Sequence, residues 1–88
     1  MSRGDGHLMS REMIMEIVEN QMRDENPPET RQTYDRLTAM GYSDEDAKQL
    51  IARVVVIELF GMLKNTESFN TERFVEGLNK LPEVPAEL

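Results

Sequence analysis

The sequence predicts an all-α fold, a compact four-helix bundle whose third helix is buried at the centre. Four helix-start signals divide the chain, and apolar residues recur at helical spacing after each of them. The one β-branched run, at residues 54–57, lies inside a long helical window, so its length favours helix over strand. With 88 residues, the chain is long enough for one domain. We expect this domain at residues 8–81, between a disordered segment at 1–7 and a flexible tail at 82–88.

The first helix is predicted at about residues 11–25. The Ser10 hydroxyl can accept a free backbone N–H of the first turn, and Asn26 stops the helix. At about 100° per residue, the apolar side chains cover an arc of roughly 220°, which is wider than one amphipathic stripe requires. We therefore expect this helix to contact two surfaces.

The second helix is predicted at about residues 27–40. Asn26 is the expected cap, Pro27 takes the first position, where a missing N–H costs nothing, and Glu29 completes a capping-box-like pair. Gly41 supplies a left-handed stop. Apolar residues recur every three positions while charged residues face water, which indicates a surface helix. The apolar residues are Tyr34, Leu37 and Met40.

The third helix is predicted at about residues 44–64. Ser43 is its cap, and three acids occupy the first turn, where the positive end of the helix dipole favours them. Apolar side chains fill one arc around the helix and most of the opposite side. The residues of the second side are Val56, Leu59, Phe60 and Leu63. A helix that is apolar nearly all round must be buried nearly all round, so either the other helices wrap it or a second copy of the chain shares it.

The fourth helix is predicted at about residues 71–80. Asn70 is its cap, and Phe69 and Phe74 stand at the two positions that form a hydrophobic staple. Pro82 ends the helix. One apolar stripe follows its length and comprises Phe74, Val75, Leu78 and Leu81.

Composition excludes several classes of function. Seventeen acidic residues against ten basic ones give a formal charge of −7, which repels polyphosphate, so we expect no nucleic-acid partner. The chain has no cysteine, which excludes disulfides and thiol chemistry. The most apolar stretch, residues 51–63, carries two charges and is shorter than the about 20 residues that span a membrane, so we expect no membrane partner. The N-terminus lacks the apolar run of a secretory signal, which favours the cytoplasm.

Few side chains are candidates for chemistry. His7 is the single histidine, and it lies beside glycine in a segment without packing partners. We therefore expect it to be solvent-exposed and to have no catalytic or metal-binding role. Neither a calcium loop nor a phosphate loop occurs, and we expect no metal and no cofactor. Glu58 falls within the most apolar arc of the third helix, where burial would raise its pKa unless a partner compensates. Arg31, Arg36 or Tyr34 of the second helix is the expected partner, which would make Glu58 a pin for helix register or a dimer seam.

The sequence supports three hypotheses for function. The first is a non-enzymatic protein–protein interaction module that self-associates as a homodimer, because obligate homodimer interfaces resemble a core cut in half. Its expected contact residues are Met13, Met15, Met22, Val56, Phe60 and Leu63. The second is a monomeric adaptor that binds a peptide on the methionine-rich surface of the first helix. The alternative is that these methionines only fill gaps in the core. The third is an acid–base enzyme centred on Glu58, which requires a cleft with a second polar group.

Two resemblances accompany these patterns. Leu37-Thr38-Ala39-Met40-Gly41-Tyr42-Ser43, followed by Ala47 and Leu50, resembles the Met-Gly-Tyr/Phe loop region of ubiquitin-associated domains. That resemblance implies that Met40 and Tyr42 dock on a ubiquitin surface. Residues 26–82, through their caps and core positions, resemble a family of small uncharacterised bacterial helical proteins. The second resemblance implies one compact helical unit and brings no activity with it.

Overall fold

The computed structural model describes residues 10–83 and contains four α-helices in that range. They are α1 (Arg11–Asp24), α2 (Pro28–Ala39), α3 (Asp44–Asn65) and α4 (Thr71–Lys80). The predicted all-α four-helix fold is confirmed, and each helix end lies within one residue of its predicted position. The predicted N-terminal segment at 1–7, with His7, and the tail from residue 84 onward lie outside the described residues.

Three of the predicted start signals form hydrogen-bonded caps. In each, the side chain of the cap residue accepts the N–H of the residue three positions later, at 2.9 to 3.2 Å. The pairs are Ser10 with Met13, Ser43 with Asp46, and Asn70 with Arg73. The staple between Phe69 and Phe74 also forms, with ring centroids 5.2 Å apart. The first residues of α1, α3 and α4 are therefore set by hydrogen bonds between near neighbours in sequence, because each cap accepts a backbone N–H that the helix itself leaves free.

The boundary between α1 and α2 differs from the prediction. Glu25, in the left-handed conformation at φ 50°, ends α1 one residue early. Pro27 rather than Asn26 occupies the cap position of α2, and no side chain bonds the free N–H groups there, so Glu29 forms no capping box. The second proline is the reason. Because a residue before proline is disfavoured in the helical region, Pro27 is held extended at ψ 154° and the helix begins at Pro28.

α2 and α3 together form the centre of the bundle. α3 packs closely against each of the other three helices, as predicted, and so does α2, whereas the backbones of α1 and α4 do not come close to each other within residues 10–83. The prediction of a plain surface helix for α2 is therefore wrong. Its buried residues are Thr30, Thr33 and Leu37. The short threonine side chains allow close approach, and the Thr30 hydroxyl donates to Oε1 of Gln21 in α1 at 2.9 Å.

One hydrophobic core is shared by all four helices. Its largest fully buried side chains include Phe74, Leu37, Ile51, Leu78 and Val18. α4 lies close against α3 at Gly77, where an added Cβ would stand 2.7 Å from Cγ1 of Val54. Glycine is required for this approach because any side chain would collide with α3.

The C-terminal end of α4 is also tied to α2. The Arg36 guanidinium donates from Nη1 to the carbonyl oxygen of Leu81 at 2.8 Å and from Nη2 to that of Leu78 at 3.0 Å. The Leu78 carbonyl also accepts the Leu81 N–H at 3.1 Å, so Arg36 adds a second donor there and gives the carbonyl of the cap residue, Leu81, a donor from α2.

Candidate functional site

The side of α3 that points away from the bundle carries an apolar stripe. The buried residues of α3 lie along one direction of the helix and are Ala47, Ile51, Val54, Val55 and Glu58. On the opposite side Val56 is half-buried, Phe60 is 52% exposed and Leu63 is 61% exposed. These three residues are spaced by four and three positions, which is the 3.5-residue repeat of a helix that packs against another helix. We define the outer face of α3 as Gln49, Arg53, Val56, Phe60 and Leu63, which continue the same spacing.

Among residues 10–83, no helix covers the C-terminal half of the outer face, because α1 is shorter than α3 and runs antiparallel to it. Near one end of α1, Glu19 Oε2 accepts from Lys48 Nζ at 2.8 Å, and near the other end Arg11 and Val56 line one groove. α1 therefore begins beside Val56, whereas α3 continues to Asn65, about 13 Å further. α4 packs against this last stretch on the inner side, where Arg73 lies beside Glu58 and Gly61. Phe60 and Leu63 consequently remain exposed in the part of the chain that the structure describes.

A groove of about 530 Å³ lies on the α1 side of the outer face. Its lining residues are Arg11, Ile14, Met15, Gln49, Ala52, Arg53 and Val56. A second groove of about 470 Å³ lies toward the α2–α3 loop, lined by Tyr42, Asp46, Gln49, Leu50 and Arg53. Gln49 and Arg53 line both, so the N-terminal half of the outer face is a ridge between two grooves. Ridges and grooves are the features through which one helix packs on another.

The methionines of α1 do not form one surface. Met22 is 7% exposed because it continues the buried stripe of Ile14 and Val18 at four-residue spacing, so its prediction as a contact residue is wrong. Met13 is 47% exposed, whereas Met15 lines the groove. The two residues lie on nearly opposite sides of the helix, about 160° apart. Of the predicted contact residues on α1, only Met15 is beside the outer face.

Glu58 is buried, 3% exposed, and is paired with Arg73 of α4. Arg73 Nε donates to Oε1 at 3.0 Å, Arg73 Nη2 donates to Oε2 at 2.8 Å, and the backbone N–H of Asn70 donates to Oε2 at 3.1 Å. The Arg73 guanidinium holds the pKa of Glu58 below its ordinary value, against the effect of desolvation. Glu58 is therefore ionised at neutral pH and joins α3 to the start of α4.

The predicted partners of Glu58 on α2 are wrong. Tyr34 Oη donates to Asp44 Oδ1 at 2.6 Å, Arg31 pairs with Asp35 at 3.3 Å, and Arg36 bonds the end of α4. Glu58 also lies on the inner side of α3, so it fixes helix register within one chain and is not part of a dimer seam. The short loop between α3 and α4 is the signal that could have identified Arg73. A hairpin of two helices brings the first turn of the second beside the last turns of the first.

A second polar cluster joins α1, α2 and α3 near the surface. Lys48 Nζ contacts Glu19 and Asp44, and Tyr34 donates to Asp44. The bond to Glu19 raises the pKa of Lys48, and the bond to Asp44 raises the pKa of Tyr34. The Tyr34 hydroxyl, with Lys48, lowers the pKa of Asp44. Each shift keeps its group in the protonation state that it already has at neutral pH, which does not suit a proton-transfer role.

Other kinds of site find little support in residues 10–83. No group of three or more His, Cys, Asp or Glu side chains in this range could hold a metal ion. The same range contains no helix with the length and hydrophobicity of a membrane span. In the loop that resembles ubiquitin-associated domains, Met40 is 55% exposed and Tyr42 packs against the core.

Comparison with protein-family models, with curated proteins and with solved structures finds no match for this chain. The geometry of the molecule is therefore the guide to its function.

Proposed function

We propose that this protein is a cytoplasmic, non-enzymatic protein–protein interaction module that self-associates through the outer face of α3. The observation that carries the proposal is the exposure of Phe60 and Leu63 beside Val56 on one face of α3. Single exposed apolar residues are ordinary on protein surfaces, whereas adjacent ones in a helical stripe are typical of an interface.

The apolar area of the outer face makes association favourable. Phe60, at 52% exposure, leaves about 100 Å² of its side chain in contact with water. At about 25 cal/mol per Å², covering this ring contributes about 2.5 kcal/mol per copy before the costs of association. Leu63 adds to this contribution because it is exposed on the same face of α3.

The polar groups support the non-enzymatic part of the proposal. Glu58 is closed off by Arg73 and Asn70, so it does not face a cleft with a second polar group as an acid–base enzyme would require. The shifted groups of the Lys48 cluster are also moved away from neutral pH. The formal charge of −7 favours a protein over a nucleic acid as the partner.

A monomeric adaptor for a partner helix is the second candidate. The groove of about 530 Å³ beside the outer face favours it, because apolar side chains such as Ile14 and Met15 lie there between two arginines. Arg11 and Arg53 would select a peptide with acidic flanks. Of the three methionines in α1, only Met15 lines this groove and would contact the peptide.

Sedimentation velocity at high micromolar concentration tests the proposal. We expect the wild-type protein to be a dimer and Phe60→Asp to be a folded monomer, because a buried carboxylate in the contact has no partner. Met40→Asp is the matched control, since Met40 is 55% exposed but lies at the end of α2, and it should remain dimeric. Circular dichroism establishes that both variants fold.

A folded wild-type monomer under these conditions would contradict self-association. The adaptor would then be favoured if the Met15 methyl resonance shifted on addition of an acidic amphipathic peptide while that of Met13 did not.

A further inference from the structure

The outer face of α3 has a shape that fits a second copy of itself. Phe60 and Leu63 stand toward its C-terminal end, and the groove beside Ala52 and Arg53 lies toward its N-terminal end. Phe60 and Arg53 are seven residues apart, about 10 Å along the helix. A two-fold axis close to Val56, midway between them, places Phe60 of each copy at the groove of the other. A surface that is complementary to itself in this way is what a symmetric dimer requires.

The charges along α3 favour an antiparallel pair. Glu45 and Asp46 occupy the first turn and Lys64 occupies the last, whereas the third acid of the first turn, Asp44, is already paired with Lys48 and Tyr34 of its own chain. In an antiparallel pair the acidic turn of one copy meets Lys64 of the other at both ends, whereas a parallel pair would bring the acidic turns together. The midpoint between residues 46 and 64 lies about 2 Å along the helix from the midpoint between residues 53 and 60. One axis therefore satisfies both the charge pairing and the fit of Phe60.

Arg11 and Arg53, which line the groove of one copy, are suitable neighbours for the Phe60 ring of the other copy. A guanidinium over an aromatic face is attracted to it, and the attraction grows as water is excluded. Arg11 and Arg53 also place positive charge at the contact of two chains that each carry −7. They reduce the repulsion that would otherwise oppose a dimer of so acidic a protein.

We infer that the outer face binds a second copy of this chain, antiparallel across a two-fold axis near Val56, with Phe60 of each copy beside Arg53 of the other. The inference rests on the proposed self-association and specifies its partner, orientation and contacts.

Disulfide cross-linking tests the orientation directly, because the chain has no cysteine and a single introduced one is unique. Positions 49 and 63 lie seven residues on either side of the axis, so they face each other across an antiparallel pair. We expect a cross-linked dimer when Gln49→Cys and Leu63→Cys proteins are mixed and oxidised, and none from either protein alone. Two copies of position 49 would be about 21 Å apart along the helix, beyond the reach of a disulfide. Glu76→Cys, on the exposed side of α4, controls for random collisions.

Charge exchange provides a second readout that does not depend on oxidation. Asp46→Lys and Lys64→Glu should each weaken the dimer by about tenfold, since each creates two like-charged pairs. The double variant Asp46→Lys/Lys64→Glu should return the dissociation constant to the wild-type value. Circular dichroism on each variant shows that α3 is intact.

The outcomes separate this inference from the proposed function. A cross-link of Gln49→Cys with itself, or a double variant that stays weak, overturns the antiparallel arrangement and leaves self-association in place. A dimer that forms no cross-link in the mixture overturns the inference, because positions 49 and 63 then do not face each other. A monomer overturns both, and the outer face is then covered by another part of the chain or by a different protein.

Discussion

Replacing Gly77 by alanine is expected to destabilise the protein, although alanine is the better helix former. The new Cβ would stand 2.7 Å from Cγ1 of Val54, which is closer than such atoms approach. Val54 is 4% exposed, and a β-branched side chain in a helix has one strongly preferred rotamer, so its methyl group cannot swing aside. The two helices must therefore separate to admit the new methyl group.

Two opposing contributions set the size of the effect. Alanine in place of glycine inside a helix gains about 1 kcal/mol, whereas an extra methyl group in a filled core costs about 1 to 3 kcal/mol. We expect a net loss of about 1 kcal/mol for Gly77→Ala. With a urea slope of about 1 kcal/mol per M, the unfolding midpoint should fall by about 1 M.

A double-mutant cycle with Val54→Ala isolates the contact. Val54→Ala alone should cost about 2 kcal/mol, because it removes two buried methyl groups. In that background the Cβ introduced at position 77 enters vacated space, so Gly77→Ala should gain about 1 kcal/mol and the coupling between the sites should be about 2 kcal/mol. All four proteins are unfolded in urea at one protein concentration, since self-association would add a concentration-dependent term. Additive effects, or a Gly77→Ala variant more stable than wild type, would refute the idea that this contact sets the distance between α3 and α4.

Three further predictions concern local features. Because the pKa of Glu58 is lowered from 4.5, its stabilising contribution is present above that pH and lost as the pH falls through the folded-state value. In urea unfolding, the free energy of unfolding of the wild type should exceed that of Glu58→Gln by more at about pH 7 than at about pH 3. The same difference at both pH values would contradict this pairing. Thr66, left-handed at φ 48°, is strained, so Thr66→Gly should stabilise by about 1 kcal/mol in thermal unfolding. Ser68→Gly should not stabilise the protein, because Ser68 has no such strain to relieve. An equal gain in stability from both variants would show that strain at Thr66 is not the cause. Asn70→Ala should cost about 1 kcal/mol through loss of the α4 cap, and Asn70→Ser should recover most of it; if the two variants were equally stable, the cap would not matter.

Local chemistry determined which parts of the fold could be predicted from sequence. The caps at Ser10, Ser43 and Asn70 were predictable because the donor and acceptor are three residues apart in the chain. Thr30 and Thr33 were missed because a helical wheel counts threonine as polar, whereas here its small size allows α2 into the core. Such burial depends on a neighbouring helix, which periodicity along one helix does not describe.

The candidate site was predictable to a similar extent. The spacing of Val56, Phe60 and Leu63 identified one side of α3, but not which side the other helices would leave open. The groove beside Arg53 depends on where α1 begins against α3, which is a matter of packing. Similarly, Glu58 was recognisable from its apolar surroundings, but its pairing with Arg73 arises from the α3–α4 hairpin.

The attachment of α4 at both ends has a consequence for how the protein opens. α4 is the shortest of the four described helices, with ten residues, so it would ordinarily fray first and its amide hydrogens would exchange with solvent quickly. Here the first turn is held by Glu58, and the last carbonyls are held by Arg36. Unwinding from either end must break a contact to a central helix, so the amides of α4 should exchange as slowly as those of α2 and α3, in one cooperative unit.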